Sequence, residues 1–132
     1  MAMDLSKSYE YFQPEKVEAR INIVGCGSVG ATLAENLVRL GITNLALWDM
    51  DVVNPHNLAN QIFRQQDIGR PKVDALADIL FEINPEIKDE DIPTFYLDSL
   101  DHADRYDRKT VRLVGQAFAD RSLPKGYYMF GR

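Results

Sequence analysis

Cysteine is almost absent: Cys26 is the only one in 132 residues, which excludes an internal disulfide and a zinc site built from cysteines alone. Histidine is nearly as sparse, and neither His56 nor His102 has a partner at metal-ligand spacing. No apolar run approaches the roughly 20 residues needed to cross a bilayer. The stretch MAMDLSKSYE lacks the basic-then-apolar layout of a secretory leader. These absences set the expectation of a cytoplasmic protein with no membrane partner. Basic residues are in deficit, 15 against 20 acids for a net charge of −5, so nucleic acid is not expected as a partner. Internal repeats and low-complexity tracts are also missing.

What is present is an ordinary globular composition, 45% hydrophobic and 27% charged, in a length that supports one domain with a modest core. After a lead segment at 1–19, RINIVG at 20–25 is rich in β-branched residues and breaks at Gly25, as a short buried strand does. Val29, Leu33, Leu37 and Leu40 then recur at helical spacing, widened by Ala34 and Val38, and Gly41 stands where a left-handed cap is expected. NLALWD at 44–49 is a second strand of buried type. A helix-length crossover between two strands makes them parallel and right-handed, with their C-terminal ends on one ligand-binding edge. Another helix begins at GRPK: Pro71 suits its first turn, Val73, Leu76, Ala77, Leu80 and Ile83 form one apolar face, and Asn84 and Pro85 end it.

The expected architecture is therefore α/β, a Rossmann-like open and mainly parallel sheet with flanking helices, in a single domain over 20–132. Residues 86–107 hold eight acids and two bases, whereas 108–132 hold one acid and six bases. TFYL at 94–97 and TVRLV at 110–114 are candidate strands, and SLPKGYYMFGR reads as an exposed or partner-bound tail.

GCGSVG, residues 25–30, is a G-x-G-x-x-G placed directly after a strand and at a helix start. That context favours phosphate binding over a tight turn that binds nothing. Gly25 permits the turn, Gly27 lets backbone N–H groups approach a phosphate, Gly30 lets helix and strand pack closely, and Ser28 sits at the helix N-terminus. Asp49 ends the second strand, where an acid commonly accepts from a ribose hydroxyl; the competing reading is a loop-capping aspartate. To this point a nicotinamide-binding protein would serve as well.

The following loop, DMDVVNPHNLANQ, and then DIGRPK, together resemble the ubiquitin-activating, E1-like superfamily that includes the ThiF and MoeB proteins. That family's pattern is Asp-x-Asp-x-Val, Asn-Leu-x-Arg-Gln and Gly-x-x-Lys, met here by Asp49, Asp51, Val53, Asn57, Leu58, Gln61, Gly69 and Lys72. With the glycine loop the likeness covers about 20–85. The resemblance implies an adenylyltransferase domain that uses ATP and Mg2+ to adenylate the C-terminal carboxylate of a small ubiquitin-like or sulfur-carrier protein ending in Gly-Gly. It also implies a homodimer. On the same likeness, nucleotide-binding positions are Gly25, Gly27, Ser28, Gly30, Asp49, Asp51, Asn57, Gln61 and Lys72. Asp49 would hold the ribose, while Asn57 and Lys72, the expected catalytic pair, would position and neutralise phosphates. Lys72 has an independent argument, because a cation in a helix's first turn opposes the macrodipole unless an anion lies beside it.

Three departures from the pattern stand out. Asn60 replaces the family's arginine, and loss of one strong transition-state donor costs on the order of 3 kcal/mol. Asp98 and Asp120 are the candidates for the family's metal-binding aspartate, and neither has both the expected spacing and the expected flanks. No cysteine is available to take an acyl group or to form paired zinc ligands; Cys26, inside the glycine loop, is best read as a small packed residue. A non-catalytic nucleotide-binding or scaffolding half and a NAD-binding Rossmann protein therefore remain as alternatives.

Overall fold

In the computed structural model, residues 2–96 are described together with two short strands at Ala117–Phe118 and Met129–Phe130. Ile21–Val24 forms β1, Ser28–Arg39 forms α1 and Leu45–Asp49 forms β2. Lys72–Ile83 forms α2 and Thr94–Tyr96 forms β3. β2 lies between β1 and β3 and is parallel to both, with Ile21 opposite Leu45 and Asp49 opposite Tyr96. Both helical crossovers run the same way across the sheet, and right-handed connection then puts α1 and α2 on one face, where they touch. The expected α/β, Rossmann-like parallel sheet is what forms.

The strands are slightly shorter than the sequence suggests, and TFYL contributes Thr94–Tyr96. TVRLV, His102, Asp98 and Asp120 lie outside the described residues. Within SLPKGYYMFGR, Met129–Phe130 is β5 and pairs antiparallel with Ala117–Phe118, β4.

The core lies between the sheet and the helices. Leu45 and Leu47 of β2 meet Val38 of α1 and Val73, Leu76 and Leu80 of α2, all fully buried. Each such aliphatic side chain contributes roughly 1.5–3 kcal/mol when removed from water. The expected face of α2 is the buried one, with Ile83 partly covered at its end.

On α1 the expected stripe is buried along one side only. Ala31, Ala34 and Val38 are buried and Leu37 packs against the core, whereas Val29 is 82% exposed and Leu33 48% exposed. Leu40 is exposed as well. The cause is the closeness of helix to strand: a Cβ on Gly30 would sit 1.7 Å from the Gly25 carbonyl oxygen. Near that approach only the small-residue side of α1 fits, so Val29 and Leu33 turn outward while Val38, further along, is buried. Gly41 does cap the helix in the left-handed region, and Leu5 and Pro14 of the lead segment pack directly over it.

Between β2 and α2 the polar stretch is a loop with a clamped neck. Val53 N–H donates to the Arg70 carbonyl at 2.8 Å, and Gly69 N–H returns to the Val53 carbonyl at 2.9 Å. Val52 forms an antiparallel bridge with Pro71. Inside the loop, the fully buried Asp67 accepts from Arg64 through the backbone N–H at 2.8 Å and Nε at 3.0 Å. Arg64 also grips both oxygens of Glu82 at 2.7 Å, while Arg70 spans from Asp67 to Asp78. This network fixes the loop to α2.

Candidate functional site

The C-terminal edge of the sheet brings together the β1–α1 glycine loop, the end of β2 and the start of α2. Gly25 has φ +93°, a conformation open to glycine and strained for other residues, and its N–H donates to the Trp48 carbonyl at 2.7 Å. Gly30 is required by the close approach described above. Ser28 begins α1 and is exposed, and Gly27 precedes it as the N-terminal cap.

A cradle remains open above Gly27. A Cβ there would meet only the Gln61 amide nitrogen, at 3.8 Å. Gln61 Oε1 is buried and has no hydrogen-bond partner among the described residues. A buried orphan acceptor costs about 1–3 kcal/mol, a penalty that an arriving hydroxyl or amino donor would relieve.

Asp49 ties the glycine loop to the next loop. Its Oδ2 accepts the Cys26 N–H at 2.6 Å and its Oδ1 accepts the Asp51 N–H at 2.7 Å. The loop-capping reading of Asp49 is therefore real. It does not exclude a ribose, because each carboxylate oxygen offers two lone pairs.

Asn57 is buried, and its Oδ1 accepts the Asn54 N–H at 2.9 Å while its own N–H donates to the Asn54 carbonyl. That pairing orients the side-chain amide and leaves Nδ2 without a hydrogen-bond partner among the described residues. Asn60, the position of the missing arginine, is exposed. Each described arginine is engaged elsewhere: Arg20 by Asn44, Arg39 by Glu35, and Arg64 and Arg70 by the Asp67 network. None of them takes over at Asn60.

Lys72 is the cation of the site. It opens α2 but does not reach into water, being only 6% exposed. Its ammonium contacts Asp51 Oδ2 at 3.4 Å, a long distance for a charge-assisted bond. Three donors with one loose acceptor leave most of its hydrogen-bonding capacity unused. Burial and the Asp49 carboxylate push the Cys26 thiol of the glycine loop up to about 12, against weaker opposition from the Trp48 carbonyl contact and the Lys72 charge. Cys26 is fully buried, a packed residue as expected.

His56 is exposed on the loop, and no cluster of metal-ligating side chains occurs among the described residues. Asp67 is not singled out by the sequence pattern. Its acid-x-Gly-x-x-Lys context was visible, but its burial depends on Arg64 and Arg70, which composition does not reveal.

The model of the ThiF family matches residues 4–107. The chain belongs to the ThiF family. It is 43% identical over 70 residues to the ubiquitin-like modifier-activating enzyme 5 of Arabidopsis thaliana, covering 53% of this chain and 16% of that protein. Among solved structures, the E. coli tRNA N6-threonylcarbamoyladenosine dehydratase TcdA in complex with AMP is 35% identical with a TM-score of 0.53, covering 59% of this chain and 31% of that one. E. coli MccB, solved with ATP and with AMPCPP plus MccA, is 29% identical with a TM-score of 0.56, covering 67% of this chain and 26% of that one. This ThiF-family chain thus spans less than a third of the length of each of these proteins.

Proposed function

We propose that the chain is an E1-like adenylyltransferase domain that binds ATP with Mg2+ and activates the C-terminal carboxylate of a small ubiquitin-like or sulfur-carrier protein. The observation that carries this reading is the buried, undersatisfied Lys72 ammonium beside a glycine loop with an open cradle. A buried cation held by one loose counter-ion keeps donors to spare, and a polyphosphate is the anion such a loop is built to hold. In this reading loop amides and Lys72 receive the phosphates, Asp49 the ribose, and Asn57 Nδ2 a phosphoryl oxygen, with Gln61 Oε1 accepting from the nucleotide. The carrier's carboxylate oxygen attacks the α-phosphorus, the bond to the bridging oxygen breaks and pyrophosphate leaves. Negative charge grows on the phosphoryl oxygens as it does so, which is where preorganised donors act. The solved complexes of related proteins with ATP, AMPCPP and AMP support a nucleotide as the ligand.

ATP is expected to raise the melting temperature, and Lys72→Ala to remove that rise. An undiminished rise in the variant would take the lysine out of the site. Stronger binding of NADH than of ATP would turn the reading toward a NAD-binding Rossmann protein.

A second reading is a non-catalytic, nucleotide-binding scaffold. It is favoured by Asn60 together with the engagement of all the described arginines. Pyrophosphate exchange in the presence of carrier tails separates the two, since a scaffold gives none. We also assign the chain to the cytoplasm, treat residues 20–132 as one domain, and expect a homodimer. The outward-facing Val29 and Leu33 of α1 suit self-association. A light-scattering mass equal to one chain would count against it.

A further inference from the structure

The geometry points to Asp51 as a placeholder for phosphate, the counter-ion that holds Lys72 while the site is empty and gives way when a polyphosphate enters. This rests on the nucleotide site proposed above and concerns how that site is kept ready.

Lys72 and Asp51 meet asymmetrically. The lysine side chain is 7% exposed and the aspartate side chain 53% exposed. A buried ammonium needs an opposite charge, and Asp51 is the one ion-pair partner Lys72 has among the described residues. Their separation of 3.4 Å exceeds the roughly 2.7–2.9 Å of a firm charge-assisted bond. The pair is close enough to neutralise and loose enough to exchange.

The backbone of Asp51 is fixed from both sides. Its N–H donates to Asp49 Oδ1 at 2.7 Å, and its carbonyl accepts the Lys72 N–H at 2.9 Å. Only the side chain is therefore free to turn. On release its carboxylate swings from a half-exposed position into water, which costs little, whereas Lys72 stays in place and changes partners. Asp49 cannot serve in this way, because both of its oxygens hold backbone N–H groups that shape the loop.

One consequence is selectivity. A single weak anion gains too little to displace Asp51, while a polyphosphate that also engages the loop amides displaces it readily. Asp51 thus acts through Lys72 as a positioning residue and competes with the ligand it prepares for.

Calorimetric titration of the 132-residue chain with ATP, inorganic tripolyphosphate and adenosine tests this, with and without Mg2+. Removing a partly exposed competitor by Asp51→Asn is expected to tighten ATP and tripolyphosphate about two- to fivefold. Adenosine should be unaffected, and the ligand-free melting temperature should fall. Asp51→Ser should repeat the result and Asp51→Glu should restore wild-type affinities. Weaker binding of both ATP and adenosine in Asp51→Asn would show a grip on the ribose and overturn the proposal. Weakening confined to Mg2+-containing titrations would show a cation ligand and overturn it equally, as would no change in any titration. If the wild-type chain binds tripolyphosphate but not ATP, the nucleotide reading fails while the exchange stands; binding of neither overturns both.

Discussion

Cys26 and Asp49 are joined by a 2.6 Å hydrogen bond from a backbone N–H to a carboxylate oxygen, so the shape of the glycine loop depends on an acid 23 residues further along the chain. The same carboxylate caps Asp51, which in turn contacts Lys72. The first crossover is thereby linked to the start of the second helix.

Asp49→Asn should therefore weaken the fold as well as the site. The amide keeps one acceptor atom and turns an N–H2 group toward a backbone donor. Bonds to a charged acceptor contribute roughly 1.5–3 kcal/mol, and a loss in that range is expected in urea unfolding without nucleotide. A variant as stable as wild type would mean that the loop keeps its shape without this acid.

Gly30→Ala tests the close approach of helix and strand. Its Cβ would lie 1.7 Å from the Gly25 carbonyl oxygen, a backbone atom that cannot turn aside. The expected cost is about 3 kcal/mol or more, with α1 displaced from β1. Circular dichroism melts should show the loss, and a melting temperature within a degree or two of wild type would contradict this packing.

Asp67 sets an acid limit. Burial alone would raise its carboxyl pKa, but the side-chain and backbone hydrogen bonds from Arg64 win and hold it below the ordinary 3.8. The folded value is depressed, so the stabilisation is complete above the unfolded value and fades as pH falls through the folded one. Asp67→Asn is expected to cost about 3 kcal/mol at pH 7 and progressively less below pH 4. Urea midpoints of both proteins at pH 7 and pH 3 check it; a difference independent of pH would remove Asp67 as the titrating group.

Cys26, with its thiol pushed up to about 12, should resist alkylation. At pH 8 its thiolate fraction is about a thousandfold below that of a free cysteine, before burial slows access further. Mass spectrometry after iodoacetamide treatment of the folded chain should find it unmodified, and rapid labelling would indicate that the glycine loop opens.

Local sequence pattern determines some of these elements and not others. The face of α2 was legible because its bulky apolar residues recur on one side only. The face of α1 was legible in part: Leu37, Ala34 and Val38 lie on it as expected, but Ala31 carries little hydrophobic signal, and the backbone contact at Gly30 that turns Val29 and Leu33 outward is not contained in periodicity. The glycine loop and the order strand, helix, strand were clear from local patterning. Residue resemblance singled out Lys72, but its burial is a property of the packed state. Gln61 was legible as a family position, whereas its orphaned oxygen is a property of the packed state. The union of Asp67 with Arg64 and Arg70 lies within a short stretch of chain, yet charges so spaced are usually solvated, and the burial of this carboxylate is a property of the folded loop.

The clamped neck has a consequence for how this loop can change over generations. Asn60 protrudes from the surface with its N–H on the Asn57 carbonyl at 3.3 Å, and its side chain has no hydrogen-bond partner among the described residues. Whatever occupies that position answers to solvent and ligand, not to packing. Selection can therefore swap amide for guanidinium there, and back again, while the architecture that presents the position is inherited intact.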